Sequence, residues 1–238
     1  MNKVDEGGAT QRTAVLAKLL SARRRIPITR ILVVGCGHGF DAGVLARHFG
    51  CPTVGIDITD SFDAAAAAPA EFAKMDARAL EFADNTFDFV YSFHALEHIP
   101  EPQRALAEMN RVLQLGGTYC IGTPNRARAA GYLGMDLPWR TKLARNMVDW
   151  RARLQGRFRN EYDAEAGFTR RELEELCRTA FGQARNLSDE YYLALYERYH
   201  LLVRFLIHAR LQPIAWPAVY IIGTKVTDGV PIERGSAA

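Results

Sequence analysis

The chain has only four cysteines in 238 residues, Cys36, Cys51, Cys120 and Cys177, and no two of them form a C-x-x-C pair. Such wide spacing argues against a disulfide framework or a structural zinc module and leaves the four as small apolar residues. Long hydrophobic runs are missing too. Nothing approaches the roughly 18 to 20 apolar residues of a membrane span, and the opening MNKVDEGGATQR has no apolar secretion core. A cytoplasmic location is the resulting expectation. Net charge is low: 30 basic against 27 acidic residues give +3, too little for a nucleic-acid binder by bulk charge. What remains is an average globular mixture, 48% hydrophobic and 24% charged, long enough to bury a substantial core.

From Ile31 onward, short apolar runs alternate with helical patterns. The runs are Ile31 to Val34, Thr53 to Asp57, Phe72 to Met75, Phe87 to Phe93 and Thr118 to Thr123; helical spacing fills Asp41 to Phe49, Ser61 to Ala68 and Pro102 to Leu113. Alternation of this kind predicts an α/β fold, a mostly parallel sheet with helices on both faces, because parallel strands need crossovers. One domain over 1–238 is expected: a helical segment at 1–30, a core at 31–125, a basic segment at 126–167 and a C-terminal part at 168–226. Thr169 with Glu172 predicts a capping box, and Ala218 to Val226 a last strand. A helix from Tyr191 to Leu211 carries a narrow polar stripe, Glu197, His200, Arg204 and His208, so it is expected to be covered on more than one side.

The most informative stretch is Ile31-Leu32-Val33-Val34-Gly35-Cys36-Gly37-His38-Gly39, a strand running into glycines at every second position. Glycine permits a tight turn and removes the β-carbon that blocks close approach, while the helix that follows offers free N–H groups. Asp57 ends the second apolar strand, where an acid can accept hydrogen bonds from ribose hydroxyls, and Asp76 follows the third on the same carboxyl edge. A nucleoside site is therefore expected across three strand ends. A dinucleotide fits less well, since the third glycine falls one place early and Phe40 stands where that fingerprint has glycine or alanine. A P-loop is excluded because no G-K-[ST] follows the glycines.

With these residues in view, the sequence resembles the class I S-adenosylmethionine-dependent methyltransferases over roughly Ile31 to Asn125. Val34 to Gly39 is similar to that family's glycine loop, Gly55-Ile56-Asp57 to its ribose-binding strand end, and Met75-Asp76-Ala77 to its adenine-contacting segment. Phe87 to Ser92 and Leu96 to Pro100 resemble its fourth strand and exit, and Arg111 to Gly117 its R-V-L-x-P-G-G turn. The resemblance implies a Rossmann-like seven-stranded sheet with an added helical lid and S-adenosylmethionine as cofactor. It also implies contacts from Gly35, Cys36 and Gly37 to the methionine and ribose, from Asp57 to both ribose hydroxyls, and from Asp76 and the Ala77 amide to adenine, with Ser92 beside the sulfonium. Many relatives have an acid two positions before the first glycine; here Val33 stands there.

For an alcohol acceptor a base is useful, and His94-Ala95-Leu96-Glu97-His98 supplies candidates, since spacings of three and four place His94, Glu97 and His98 on one face of a helical turn. The string formally matches an inverted zinc-protease signature, but it leaves a strand and meets Pro100 and Pro102, so that reading is rejected. It also resembles the segment of ubiquinone-pathway O-methyltransferases in which acids and a histidine hold a metal; His94 stands where that group has an acid, and magnesium prefers carboxylates. Three readings stay open: a divalent metal at His94, Glu97 and His98, a direct base at His98 or His94, or a structural pair.

Between Pro124 and Asn160 lie nine basic residues against Asp136 and Asp149, interleaved with Tyr132, Trp139, Trp150 and Phe158. Arginines clamp phosphate or carboxylate and aromatic faces cover ring surfaces, so an anionic or saccharide acceptor is expected, the alternative being a solvated lid with salt bridges. The helix Tyr191 to Leu211 would roof the pocket or form a homodimer contact, and its apolar width permits a lipid-like acceptor. The expected activity is O-methylation of a small-molecule hydroxyl, on a sugar or glycolipid by the sugar O-methyltransferase likeness. The alternatives are an RNA-modifying methyltransferase and a non-catalytic cofactor binder.

Overall fold

A computed structural model describes residues 6–22, 28–132, 137–160 and 166–226. The β-branched run Ile31–Val34 becomes β1, buried along its whole length as a central parallel strand must be. With it β2 (Thr53–Asp57), β3 (Glu71–Lys74), β4 (Phe87–Phe93), β5 (Leu113–Pro124), β6 (Arg185–Asn186) and β7 (Ala218–Thr224) form one sheet. Its order is β3-β2-β1-β4-β5-β7-β6. Strands β1 to β5 pair in parallel, and β7 runs antiparallel to both β5 and β6. The expected Rossmann-like, mostly parallel seven-stranded sheet is present. Chain order reverses between β1 and β4, so their carboxyl ends open a crevice at the switch point where such sheets take ligands.

Alternate side chains of β1 feed two separate cores. Ile31 and Val33 meet α1 (Glu6–Ser21), α2 (Phe40–Phe49) and α7 (Ser188–Leu195) through Leu16, Leu20, Leu45 and Tyr191. Leu32 and Val34 meet α4 (Pro102–Val112) and α6 (Arg170–Phe181) through Leu106, Met109, Leu173 and Phe181. Helix α6 forms as its sequence predicts. Thr169 and Glu172 close the capping box, Leu173, Cys177 and Phe181 are buried, and Gly182 ends the helix at φ 85°.

Three expectations fail. Ser61 to Ala68 yields only the single turn α3 (Ala64–Ala67). The continuous helix from Tyr191 to Leu211 is broken into α7, a 3-10 turn at Glu197–Tyr199, α8 (His200–His208) and α9 (Gln212–Ala215), because the backbone leaves helical geometry at Tyr196 (φ −110°, ψ 47°). Of α8 only Val203 is buried, so the broad apolar face expected to be covered stands open. The basic segment contains one long helix, α5 (Trp139–Leu154). Asp136 and the tail from Thr227 lie outside the described residues.

Candidate active site

The glycine loop does two different jobs. At Gly35 (φ +70°) a β-carbon would sit 2.1 Å from the Ala95 Cβ, so this glycine exists to let the loop mesh with the segment leaving β4. At Gly37 (φ +51°) a β-carbon would meet no atom within 4 Å, and this is the open main chain that a ligand can approach. The Gly37 N–H donates to Asp57 Oδ2 at 2.8 Å, while Asp57 Oδ1 accepts from both the Thr59 N–H and the Thr59 hydroxyl at 3.0 Å. The end of β2 thereby fixes the end of β1. Oδ2 retains lone-pair capacity beyond its bond to Gly37, which fits a ribose hydroxyl. Cys36 is not a nucleophile: burial first, then the Asp57 carboxylate, push its thiol up to about 12.

At the end of β3, Asp76 is gripped by its own neighbour. Arg78 donates from Nε to both carboxylate oxygens at 3.1 Å and from Nη2 at 2.7 Å, and the Arg78 N–H adds a bond of 2.8 Å. These hydrogen bonds hold the Asp76 pKa below the ordinary carboxylate value. Ala77 lies between the two, half-buried. Neither Thr59 nor Arg78 was singled out from the sequence, although both stand two positions beyond the acid they bind. Ser92 is fully buried, and its Oγ has no hydrogen-bond partner.

The post-β4 segment departs from the helical turn expected of it. The chain leaves the strand at His94 in the left-handed region, φ 52°, and only Leu96–His98 form a short 3-10 turn. Spacing on a helix therefore does not govern where the three polar side chains go. The Glu97 side chain is 1% exposed, that of His94 43% and that of His98 62%. Glu97 Oε1 lies 3.7 Å from His94 Nδ1 and 3.9 Å from His98 Nε2. Among the described residues no three His, Cys, Asp or Glu side chains are placed to hold a metal ion. The divalent-metal reading of His94, Glu97 and His98 thus gains no support from this arrangement, in which the Glu97 side chain is buried and both histidines are largely exposed.

His94 stands on an aromatic wall. Its ring is 4.1 Å from Phe93, which stacks on Tyr220 at 5.2 Å, and Tyr220 in turn lies 4.2 Å from Tyr191 of α7. Partial burial among these groups first, then the charges of Arg12 and Arg128 and the neighbouring His98, lower the His94 pKa below the ordinary histidine value, although 43% of the side chain stays exposed. The shift favours the neutral ring. None of the aromatic partners was predicted, because Phe93, Tyr191 and Tyr220 come from three distant parts of the chain.

The arginines of the basic segment that lie closest to the sheet are already engaged. Arg126 pairs with Glu172, and Arg128, 4% exposed, pairs with Asp149 at 3.1 Å. Phe158 lies under Arg128 and Arg153, and Tyr132 under Arg145. Arg126, Arg128, Arg145 and Arg153, with Tyr132 and Phe158, are thus engaged within the protein, while Trp139 and Trp150 remain exposed.

Comparison with known proteins agrees with this geometry. The family described as "Methyltransferase domain" matches residues 32–121, which run from β1 through most of β5. Residues 32–121 thus match a methyltransferase domain, and the sheet has the Rossmann-like fold of the class I methyltransferases. Within that class, sterol 24-C-methyltransferase ERG6 of Saccharomyces cerevisiae is 35% identical over 100 residues, 38% of this chain and 26% of that protein. The chloroplastic tocopherol O-methyltransferase of Arabidopsis thaliana is 34% identical over 122 residues, 47% of this chain and 35% of that protein. The alignments thus span about a quarter to a third of these curated relatives. Among solved structures, Haemonchus contortus phosphoethanolamine N-methyltransferase 2 in complex with S-adenosylmethionine shares the fold at a TM-score of 0.53 and 20% identity, covering 90% of this chain and 52% of that one. Among the described residues, no helix is long and apolar enough to cross a membrane.

Proposed function

We propose that the chain transfers a methyl group from S-adenosylmethionine to a hydroxyl of a small, largely apolar molecule. The observation that carries the reading is the pairing of open main chain at Gly37 with the Asp57 carboxylate at the mouth of a methyltransferase domain. Gly37 and Asp57 would hold the ribose, and the strand end at Asp76 and Ala77 the adenine. Bound there, the cofactor would supply a methyl group already activated by its sulfonium, so the chain has chiefly to align the acceptor and take one proton.

His94 suits that second task. Being neutral, it does not repel a cationic donor and has a free acceptor nitrogen. As the oxygen–carbon bond forms and the sulfur–carbon bond breaks, the acceptor hydroxyl becomes strongly acidic, and even a weak base removes its proton. Glu97, 3.7 Å from Nδ1, then stabilises the imidazolium. The Phe93 ring beside His94, backed by Tyr220, favours an apolar acceptor body over a sugar. Incubation with methyl-labelled S-adenosylmethionine and a panel of phenols, long-chain alcohols and glycosides tests this. Label in a hydroxyl of an apolar acceptor, with kcat lowered about a hundredfold in His94→Gln, is expected; label in RNA alone, or in none of the panel, would overturn it.

A further inference from the structure

Helix α5 is amphipathic the wrong way round. Its inward side is polar: Asn146 Oδ1 accepts from the Gly131 N–H at 2.7 Å, and its Nδ2 donates to the carbonyls of Gly131 at 3.1 Å and Lys142 at 2.8 Å. Asp149 beside it holds Arg128. The outward side carries Trp139, Leu143, Met147, Trp150 and Leu154, at successive spacings of four, four, three and four, which places all five on one stripe. Every one is exposed, from 43% at Trp150 to 91% at Leu154. Such a stripe costs solubility unless something apolar takes it up.

A second exposed apolar group lies on α8, which is connected to α5 through α9. Trp150 Nε1 donates to the Ala129 carbonyl at 2.7 Å, and the Ala129 N–H donates to the Ile214 carbonyl at 2.8 Å, so α5 and α9 grip one residue from two sides. Helix α8, just before α9, exposes Leu201, Leu202 and Phe205. Charge selects the occupant. Helix α5 carries Arg140, Lys142, Arg145, Arg151 and Arg153 against the single acid Asp149, and Asp149 is neutralised by Arg128. A second copy presenting the same face would bring like charges together, whereas a surface that is anionic outside and apolar beneath satisfies both components at once.

We infer that this face seats the protein on an anionic lipid surface, with α5 lying in the plane of the membrane, its stripe among the acyl chains and its flanking arginines at the headgroups. Tryptophan near the start and past the middle of the stripe suits the boundary between water and hydrocarbon. The attachment is peripheral and salt-sensitive. It rests on α5, α8 and α9 and is independent of which atom is methylated.

Co-sedimentation of the full chain with phosphatidylcholine vesicles, with and without phosphatidylglycerol, tests it. Binding to the phosphatidylglycerol vesicles alone, weakened by salt and accompanied by a blue shift of tryptophan emission, is expected. Arg140→Glu with Arg151→Glu should weaken it by at least about tenfold, as should Leu143→Glu with Leu154→Glu, all four side chains being surface-exposed. Unchanged circular dichroism and thermal midpoint confirm that the variants fold. Failure to sediment with anionic vesicles at low salt overturns the inference, as does wild-type binding by either double variant. A dimer in light scattering that Leu143→Glu with Leu154→Glu dissolves, without vesicle binding, would assign the face to a second copy. Binding of poly(U) that the arginine variant alone abolishes, again without vesicle binding, would assign it to RNA.

Discussion

Helices α5 and α6 both carry an apolar stripe but are built on opposite plans. In α6 the apolar residues Leu173, Cys177 and Phe181 point into the sheet and the charges point to water. In α5 an asparagine and an aspartate face inward while tryptophan, leucine and methionine face out. The difference teaches that a helical apolar stripe marks where a low-polarity partner lies, without saying that the partner is the protein's own core. Helix α6 belongs to the scaffold that fixes the strand ends; α5 is attached to that scaffold by polar contacts and keeps its apolar surface for something else.

The contrast breaks most visibly by truncation. Phe181, fully buried and stacked 3.9 Å from Tyr119, should cost about 3–5 kcal/mol when replaced by alanine, read as a shifted urea midpoint. Leu154→Ala should stay within about 0.5 kcal/mol of wild type. Equal losses at the two positions would mean that α5 is buried after all. An intermediate effect is expected of Asn146→Leu, which strands the Gly131 N–H and carbonyl: about 1–3 kcal/mol, with limited proteolysis cutting first around α5.

Acid should sharpen the link between the two regions. His94 is harder to protonate folded than unfolded, so the folded state binds fewer protons than the unfolded chain below the unfolded histidine pKa of about 6.5. Its contribution is fully present above that pH and is lost as pH falls beneath it; urea midpoints measured from neutral to mildly acid pH should fall less in His94→Gln. The smallest effect concerns Arg128, one of the cations bearing on His94 and the one that α5 holds through Asp149. Replacing the pair together, Arg128→Met with Asp149→Asn, should move the His94 pKa upward in an NMR titration, by less than the burial contribution that remains.

Much of the scaffold was legible in the sequence because its strands are uninterrupted apolar runs bounded by glycine, acid or proline. β1, β2 and β4 appear at the residues expected, and the Thr169 capping box forms as read. The two-residue strand β6 carries too little pattern to be seen. At the candidate site the sequence pointed to Gly35, Gly37 and Asp57, but not to the close approach of Ala95 that Gly35 also permits. His94, Glu97 and His98 do meet around Glu97, but not by the helical spacing that pointed to them, since His94 sits at φ 52° and only a short 3-10 turn follows. In α5 the periodicity was real, but nothing local to the helix says which side of it the chain will cover.

Calorimetric titration of S-adenosylhomocysteine into donor-free protein tests most directly whether a nucleoside donor rests on the ends of β1, β2 and β3. One molecule taken up per chain by the wild type, and a large loss of affinity in Asp57→Asn with folding intact, is the predicted result. A wild-type protein that gives no heat of binding at any concentration of that compound would contradict it.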